Sequence, residues 1–138
     1  MSAISKPAVT IDAFEAGQID VDSFDHEAHV YLAWLYLERL PVLEALQRYS
    51  QGLKRLTEQL GIPGKYHETI TCFYLFKIAE RREATPGSWL DFRRRNADLL
   101  ARGESSVLHH FYSRETLESD RARSAFVLPD RAAEASAA

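Results

Sequence analysis

The sequence predicts an all-α protein, built as an up-down bundle of four main helices with additional short helices at its N and C termini. Apolar residues recur at helical spacing in several long segments, and alternating strand patterns are almost absent. Glycine, proline and capping residues separate these segments. At 138 residues, with 46% hydrophobic and 27% charged residues, the chain has the size and composition of one soluble domain.

The chain divides into an arm, a bundle and a tail. Thr10 can cap a short helical turn in TIDAFEAGQ that ends at Gly17, so residues 1–22 are predicted to form an N-terminal arm. Residues 23–128 form the predicted bundle domain. Residues 129–138 include the small, polar sequence RAAEASAA, which is typical of a disordered tail.

The first two main helices follow directly on one another. Helix A is predicted from about Asp25 to Leu40. Pro41 suits the first turn of helix B, whose leucines and Tyr49 repeat at helical spacing until Gly61 ends the helix.

Helices C and D follow clear breaks. Helix C, YHETITCFYLFKIAERR, is apolar around most of its circumference and is therefore predicted to be central in the bundle. Helix D, SWLDFRRRNADLLAR, starts with a capping box formed by Ser88 and Asp91 and ends at Gly103. A last helical region, SSVLHHFYSRETLESDRARSAF, should break near Ser113. The residues expected to be mostly buried on helix C are Phe73, Tyr74, Phe76 and Ile78.

The five histidines are predicted to lie at one end of the bundle. His26 and His29 occupy the first turns of helix A, His67 begins helix C, and His109 and His110 follow the end of helix D. In an up-down-up-down bundle these positions share one end. Apolar residues continue the stripes of the first three histidines, so these imidazoles should face inward. A solvated loop is the favoured interpretation for His109 and His110.

Three inward imidazoles indicate a metal or catalytic site. His26, His29 and His67 would hold a divalent transition metal (zinc, iron or copper) and leave one coordination position for water or a small-molecule substrate. A metal-free version would use His67 as general base, with Glu68 or Tyr74 nearby. The sequence therefore predicts a small metalloprotein and leaves open whether it is an enzyme.

Known metal motifs do not match this pattern. Paired ExxH motifs of ferritin-like proteins, HxxxE motifs of hemerythrin-like bundles, CxxCH and HExxH are all lacking in the sequence. The alternative is a non-enzymatic bundle that binds a small ligand or peptide and uses the histidines for hydrogen bonding. A single buried histidine is more often a hydrogen-bonded core residue than a ligand.

Several functional classes are disfavoured. A net charge of −3 gives no general attraction for nucleic acid, and Arg93 to Arg95 are expected to be a solvated helix face. The longest apolar run, VYLAWLYL, is too short to cross a bilayer. Cys72 is the only cysteine and the N-terminus lacks a signal-peptide pattern, so a cytoplasmic location is expected. Oligomeric state is left open.

One further pattern suggests relatives. FDHEAHVYLAWLYL followed by KYHETIT, with closing SD, AR and FVLPD, resembles a group of small bacterial all-α proteins with an FxHxxH…KYHET pattern. The resemblance covers about Phe14 to Asp130 and implies one complete unit. It implies no particular activity.

Overall fold

The computed structural model of the protein describes residues 9–103 and 106–131. Within these ranges all regular structure is helical, and no strand occurs. The chain is an all-α bundle, as predicted. Helices α1 to α9 are Ile11–Glu15, His26–Arg39, Val42–Gln59, Glu68–Ala84, Trp89–Arg95, Ala97–Leu100, Leu108–Phe111, Arg114–Leu117 and Asp120–Ser124.

The core of the bundle lies between α2, α3 and α4, which all pack against one another. These are the predicted helices A, B and C. Asp25 caps α2 by accepting a hydrogen bond from the backbone N–H of Ala28 at 2.9 Å. Gly61, with φ near +75°, follows α3 in a left-handed conformation that glycine adopts without strain. One hydrophobic cluster includes residues from Val9 to Leu117, so helices α1 to α8 share one core.

Helix α4 is central, as the sequence indicates, because it contacts α2, α3 and α9. Phe73, Tyr74 and Ile78 are buried on it. Phe76 is 37% exposed and lies at the edge of a surface groove, so its predicted burial is wrong.

Predicted helix D is present as two consecutive segments, α5 and α6, which meet at Asn96. Asn96 is buried and has non-helical dihedral angles, φ −125° and ψ 45°. Its amide donates to the Phe92 carbonyl at 2.9 Å and accepts from the Arg81 guanidinium at 2.8 Å. Helix α6 then packs against α2.

The C-terminal region consists of short helices, two of which begin at a serine cap. Ser113 caps α8, which confirms the predicted break, and Ser119 caps α9. Residues 129–131 were predicted as part of a disordered tail, but they are bonded to the body of the protein. The Asp130 carboxylate accepts from Ser113, and the Arg131 backbone N–H donates to the Phe111 carbonyl at 2.9 Å. Residues 132–138 lie outside the described residues.

The N-terminal arm packs against the bundle. Thr10 caps α1 by accepting from the backbone N–H of Ala13, as predicted. Val9, Ile11 and Phe14 are buried. Residues 1–8 lie outside the described residues. In the described part of the chain, no helix combines the length and the apolar character needed to cross a membrane.

Candidate functional site

A cleft of about 350 Å³ opens beside the first turns of α2, between α2, α3 and α4. Its apolar walls come from all three helices. Two of the predicted site histidines, His26 and His29, line it, and so does Tyr74. The apolar lining residues on the helices include Val30, Leu53, Ile70 and Ile78.

His26 is held between α6 and α4. Its Nε2 lies 2.9 Å from the carbonyl oxygen of Leu99. Because a carbonyl oxygen can only accept, Nε2 must carry the proton and donate it. The ring also meets the Tyr74 ring edge-on, with centroids 5.0 Å apart.

The His29 side chain is held by Asp25, the N-cap residue of its own helix. Its Nδ1 lies 2.8 Å from the Asp25 carbonyl oxygen, so Nδ1 carries the proton here. The imidazole stacks on Phe24, with ring centroids 4.0 Å apart. The two histidines therefore have opposite tautomers, each set by a backbone carbonyl.

In its neutral form each ring has one nitrogen that can accept a hydrogen bond. These are Nδ1 of His26 and Nε2 of His29, and no described residue donates to either of them. Among the described residues no buried side-chain nitrogen or oxygen lacks a partner. Since these two nitrogens have no partner in that part of the chain, neither is fully buried, and both rings are partly exposed where they line the cleft.

The electrostatic surroundings keep His29 neutral. Burial lowers the pKa of His29 below its ordinary value of 6.5, and the nearby His26 and Arg102 add to the lowering. The hydrogen bond to the Asp25 carbonyl and the charge of Asp25 oppose it but do not reverse it. Asp25 and Arg102 both line the cleft, so one acidic and one basic side chain contribute to its lining.

Two hydroxyl groups from α4 complete the polar lining. Tyr74 is buried with Ser106 near its hydroxyl, and burial raises the pKa of its phenol, which stays protonated. Thr71 donates to the His67 carbonyl at 2.8 Å. The Thr71 hydroxyl is thus already bonded within the protein.

His67 does not join this cleft, contrary to the predicted three-imidazole set. It is the N-cap residue of α4, with extended dihedral angles of φ −135° and ψ 110°. Its Nδ1 accepts from the Ile70 backbone N–H at 3.2 Å, and its Nε2–H donates to the Leu117 carbonyl at 2.7 Å. With both ring nitrogens engaged, His67 connects α4 to α8 and is not positioned as a metal ligand or general base.

Glu68 also lies elsewhere, in a crevice of about 170 Å³ that includes Lys54 and Tyr66. The Tyr66 hydroxyl donates to the Glu68 carboxylate at 2.6 Å. Cys72 is 4.0 Å from the same carboxylate, and burial raises the pKa of its thiol to about 11. Of the predicted catalytic set of His67, Glu68 and Tyr74, only Tyr74 lines the cleft.

The predicted donors His26, His29 and His67 do not all lie together in the described part of the chain. Within residues 9–103 and 106–131, no group of three or more His, Cys, Asp or Glu side chains is placed to hold a metal ion. His109 and His110 lie in α7 and not in the predicted solvated loop, and His110 is exposed. Neither lines the cleft, the Glu68 crevice or the groove beside Phe76.

Comparison of the chain with known protein families, with curated proteins and with solved structures finds no match. The resemblance to small bacterial helical proteins therefore stays a prediction, and functional inference rests on the geometry of the cleft.

Proposed function

We propose that the cleft beside His26 and His29 binds a small, uncharged molecule with an apolar body and at least one O–H or N–H group. The observation that carries this proposal is the pair of accessible imidazole nitrogens, each in a tautomer fixed by a backbone carbonyl. Such nitrogens accept hydrogen bonds from a ligand. The protein is then a ligand-binding bundle, the alternative that the sequence leaves open.

Size and charge support this ligand class. Small-molecule sites are concave, mostly apolar and on the order of 300–1,000 Å³, and a cleft of about 350 Å³ lies at the lower end of that range. Asp25 and Arg102 offset one another, so the cleft favours neither anions nor cations. The apolar walls favour a ring or short aliphatic body.

A nuclear magnetic resonance titration with p-cresol and toluene tests the proposal. The two probes have similar apolar bodies, but only p-cresol can donate to an imidazole. We expect p-cresol to shift the His26 and His29 ring resonances saturably and to bind roughly threefold to tenfold more tightly than toluene, the worth of one net hydrogen bond.

Matched variants localise the effect. His29→Phe keeps a ring against Phe24 but removes the acceptor, so p-cresol should lose its advantage over toluene. His110→Gln changes an exposed histidine outside the cleft and should bind as wild type does. Equal affinity for the two probes would contradict the proposal. So would shifts confined to the separate aromatic groove lined by Phe73, Phe111 and Phe126.

A further inference from the structure

Residues 9–24, here named the wall segment, supply one side of the cleft through Phe24. We propose that the wall segment is a movable wall of the cleft, which acid opens and a bound ligand holds closed. This proposal rests on the ligand-binding function proposed above. The helix within the segment, α1, has only five residues and is too short to be stable alone. Its structure therefore depends on docking.

Phe14 is the main docking residue. It is 3% exposed and fits above Gly52 on α3, where an added Cβ atom would lie 2.2 Å from the Phe14 ring. Its ring also meets Phe24, Tyr36 and Tyr49 at centroid distances of 6.2, 6.2 and 6.3 Å. Only glycine at position 52 allows this approach.

Glu15 provides the second attachment. Its carboxylate accepts from the Tyr36 hydroxyl at 2.6 Å and from the Arg48 guanidinium at 2.7 and 3.0 Å. The hydrogen bonds from Arg48 lower the pKa of Glu15. The docked state therefore prefers the ionised carboxylate, and its protonation favours release.

The docking residues connect directly to the cleft. Phe24 packs on Phe14 on one side and stacks on His29 on the other. Tyr49 also packs on Phe14, lines the cleft, and donates its hydroxyl to the His29 carbonyl at 3.3 Å. Undocking of Phe14 would therefore remove the cover from one face of the His29 imidazole.

Protonation of two groups, His29 and Glu15, should favour this opening. The covered His29 is held neutral by burial, whereas an uncovered His29 takes up a proton near 6.5. Protonation of His29 and of Glu15 both favour the open state, so the two effects have the same sign. His29 acts as the pH falls through 6.5, whereas Glu15 acts only below its ordinary pKa value of 4.5, so the opening between pH 7.5 and 5.5 comes from His29. The titratable and charged groups around His29 are Asp25 and His26 beside it, Arg102 after α6, Tyr49 on α3 and Tyr74 on α4. Those around Glu15 are Tyr36, Arg48 and Arg55.

Gly52→Ala tests the wall without altering a cleft residue. Alanine is a better helix former than glycine, so α3 itself is not weakened, but the new methyl group displaces Phe14. Gly64→Ala is the matched control, because a Cβ there meets nothing within 4 Å. Two measurements need no ligand: hydrogen exchange of residues 9–24 by mass spectrometry, and titration of the His29 ring by nuclear magnetic resonance.

We expect Gly52→Ala to speed exchange in residues 9–24 and to move the His29 pKa up toward 6.5, whereas Gly64→Ala changes neither. Wild-type exchange in this segment, corrected for intrinsic rates, should rise as the pH falls from about 7.5 to 5.5. Saturating p-cresol should slow it at both pH values. His67, which lies outside the cleft, gives an internal reference whose titration stays the same.

If Gly52→Ala speeds exchange in residues 9–24 but leaves the His29 pKa unchanged, the proposal of a movable wall is refuted. It is also refuted if Gly52→Ala behaves like Gly64→Ala. If Gly52→Ala unfolds the whole chain, Phe14→Ala must give the same two changes in a folded protein, or the proposal fails. If p-cresol does not bind but Gly52→Ala still speeds exchange and raises the His29 pKa, the proposed ligand class is refuted and the movable wall is supported. The two proposals therefore fail separately.

Discussion

Replacing His67 by Ala is the change that best separates a structural histidine from a metal ligand. The side chain is 8% exposed and makes two hydrogen bonds at the start of α4. One caps the helix through the Ile70 N–H, and the other satisfies the carbonyl of Leu117 at the end of α8. The substitution removes both at once.

The expected loss follows from these two bonds. Loss of an N-cap costs about 1 kcal/mol, and an unsatisfied carbonyl costs about 1–3 kcal/mol. Together they predict a loss of about 2–4 kcal/mol in the free energy of unfolding. For a domain of this size, 1 kcal/mol corresponds to about 3–5 °C, so Tm should fall by roughly 6–20 °C.

Thermal melts with and without a chelator provide the assay. If His67 is structural, the loss is the same in both conditions, because no bound ion contributes to stability. His67→Asn keeps an N-cap acceptor but is too short to reach Leu117, so it should recover about 1 kcal/mol of the loss. A wild-type protein that melts like His67→Ala once chelator is added would refute this reasoning and restore His67 as a ligand. A loss below about 1 kcal/mol would also contradict it.

Three further predictions concern core, pH and metal. Phe73→Ala should cost about 3–5 kcal/mol in urea unfolding, because Phe73 is buried against Phe111 and Tyr112; a loss below about 1 kcal/mol would contradict that packing. The pKa values of His29 and His67 are lowered in the folded state, so the unfolded chain binds more protons and stability should fall as pH drops through 6.5. A flat profile from pH 7.5 to 5 would contradict both burial effects. Added zinc, iron or copper should leave Tm unchanged, and one tightly bound ion per untagged chain, lost in His26→Ala, would overturn this expectation.

The order and type of the main helices could be predicted from local signals. Asp25, Ser88 and Ser113 stand where helices begin, and each accepts a hydrogen bond from the third residue that follows. The interruption at Asn96 could not be predicted. It depends on Arg81, fifteen residues earlier on another helix, and on the burial of the asparagine amide.

The candidate site could be predicted only in part. His26 and His29 lie inside α2, where the spacing of residues determines which side chains share a face, and both reach the cleft. His67 stands one residue before α4 begins, in an extended conformation, so a helical projection does not apply to it. Phe24 and Arg102 come from connecting segments. The path of these segments is set by packing, and nothing in their local sequence marks them as cleft residues.

His26 and His67 donate hydrogen bonds to backbone carbonyls at the ends of short helices. The last carbonyls of a helix have no partner within it, and a chain with many short helices has many such groups. Leu99 lies in the last turn of α6 and Leu117 is the last residue of α8; their carbonyls accept from His26 and His67. Each such bond makes one ring nitrogen a donor and leaves the other nitrogen as an acceptor. In His67 the second nitrogen accepts from a helix N–H, whereas in His26 the second nitrogen belongs to a ring that lines the cleft. The same structural use of histidine therefore ends in a cap at one position and in an accessible acceptor at the other. That difference is why the proposed binding site includes His26 and not His67.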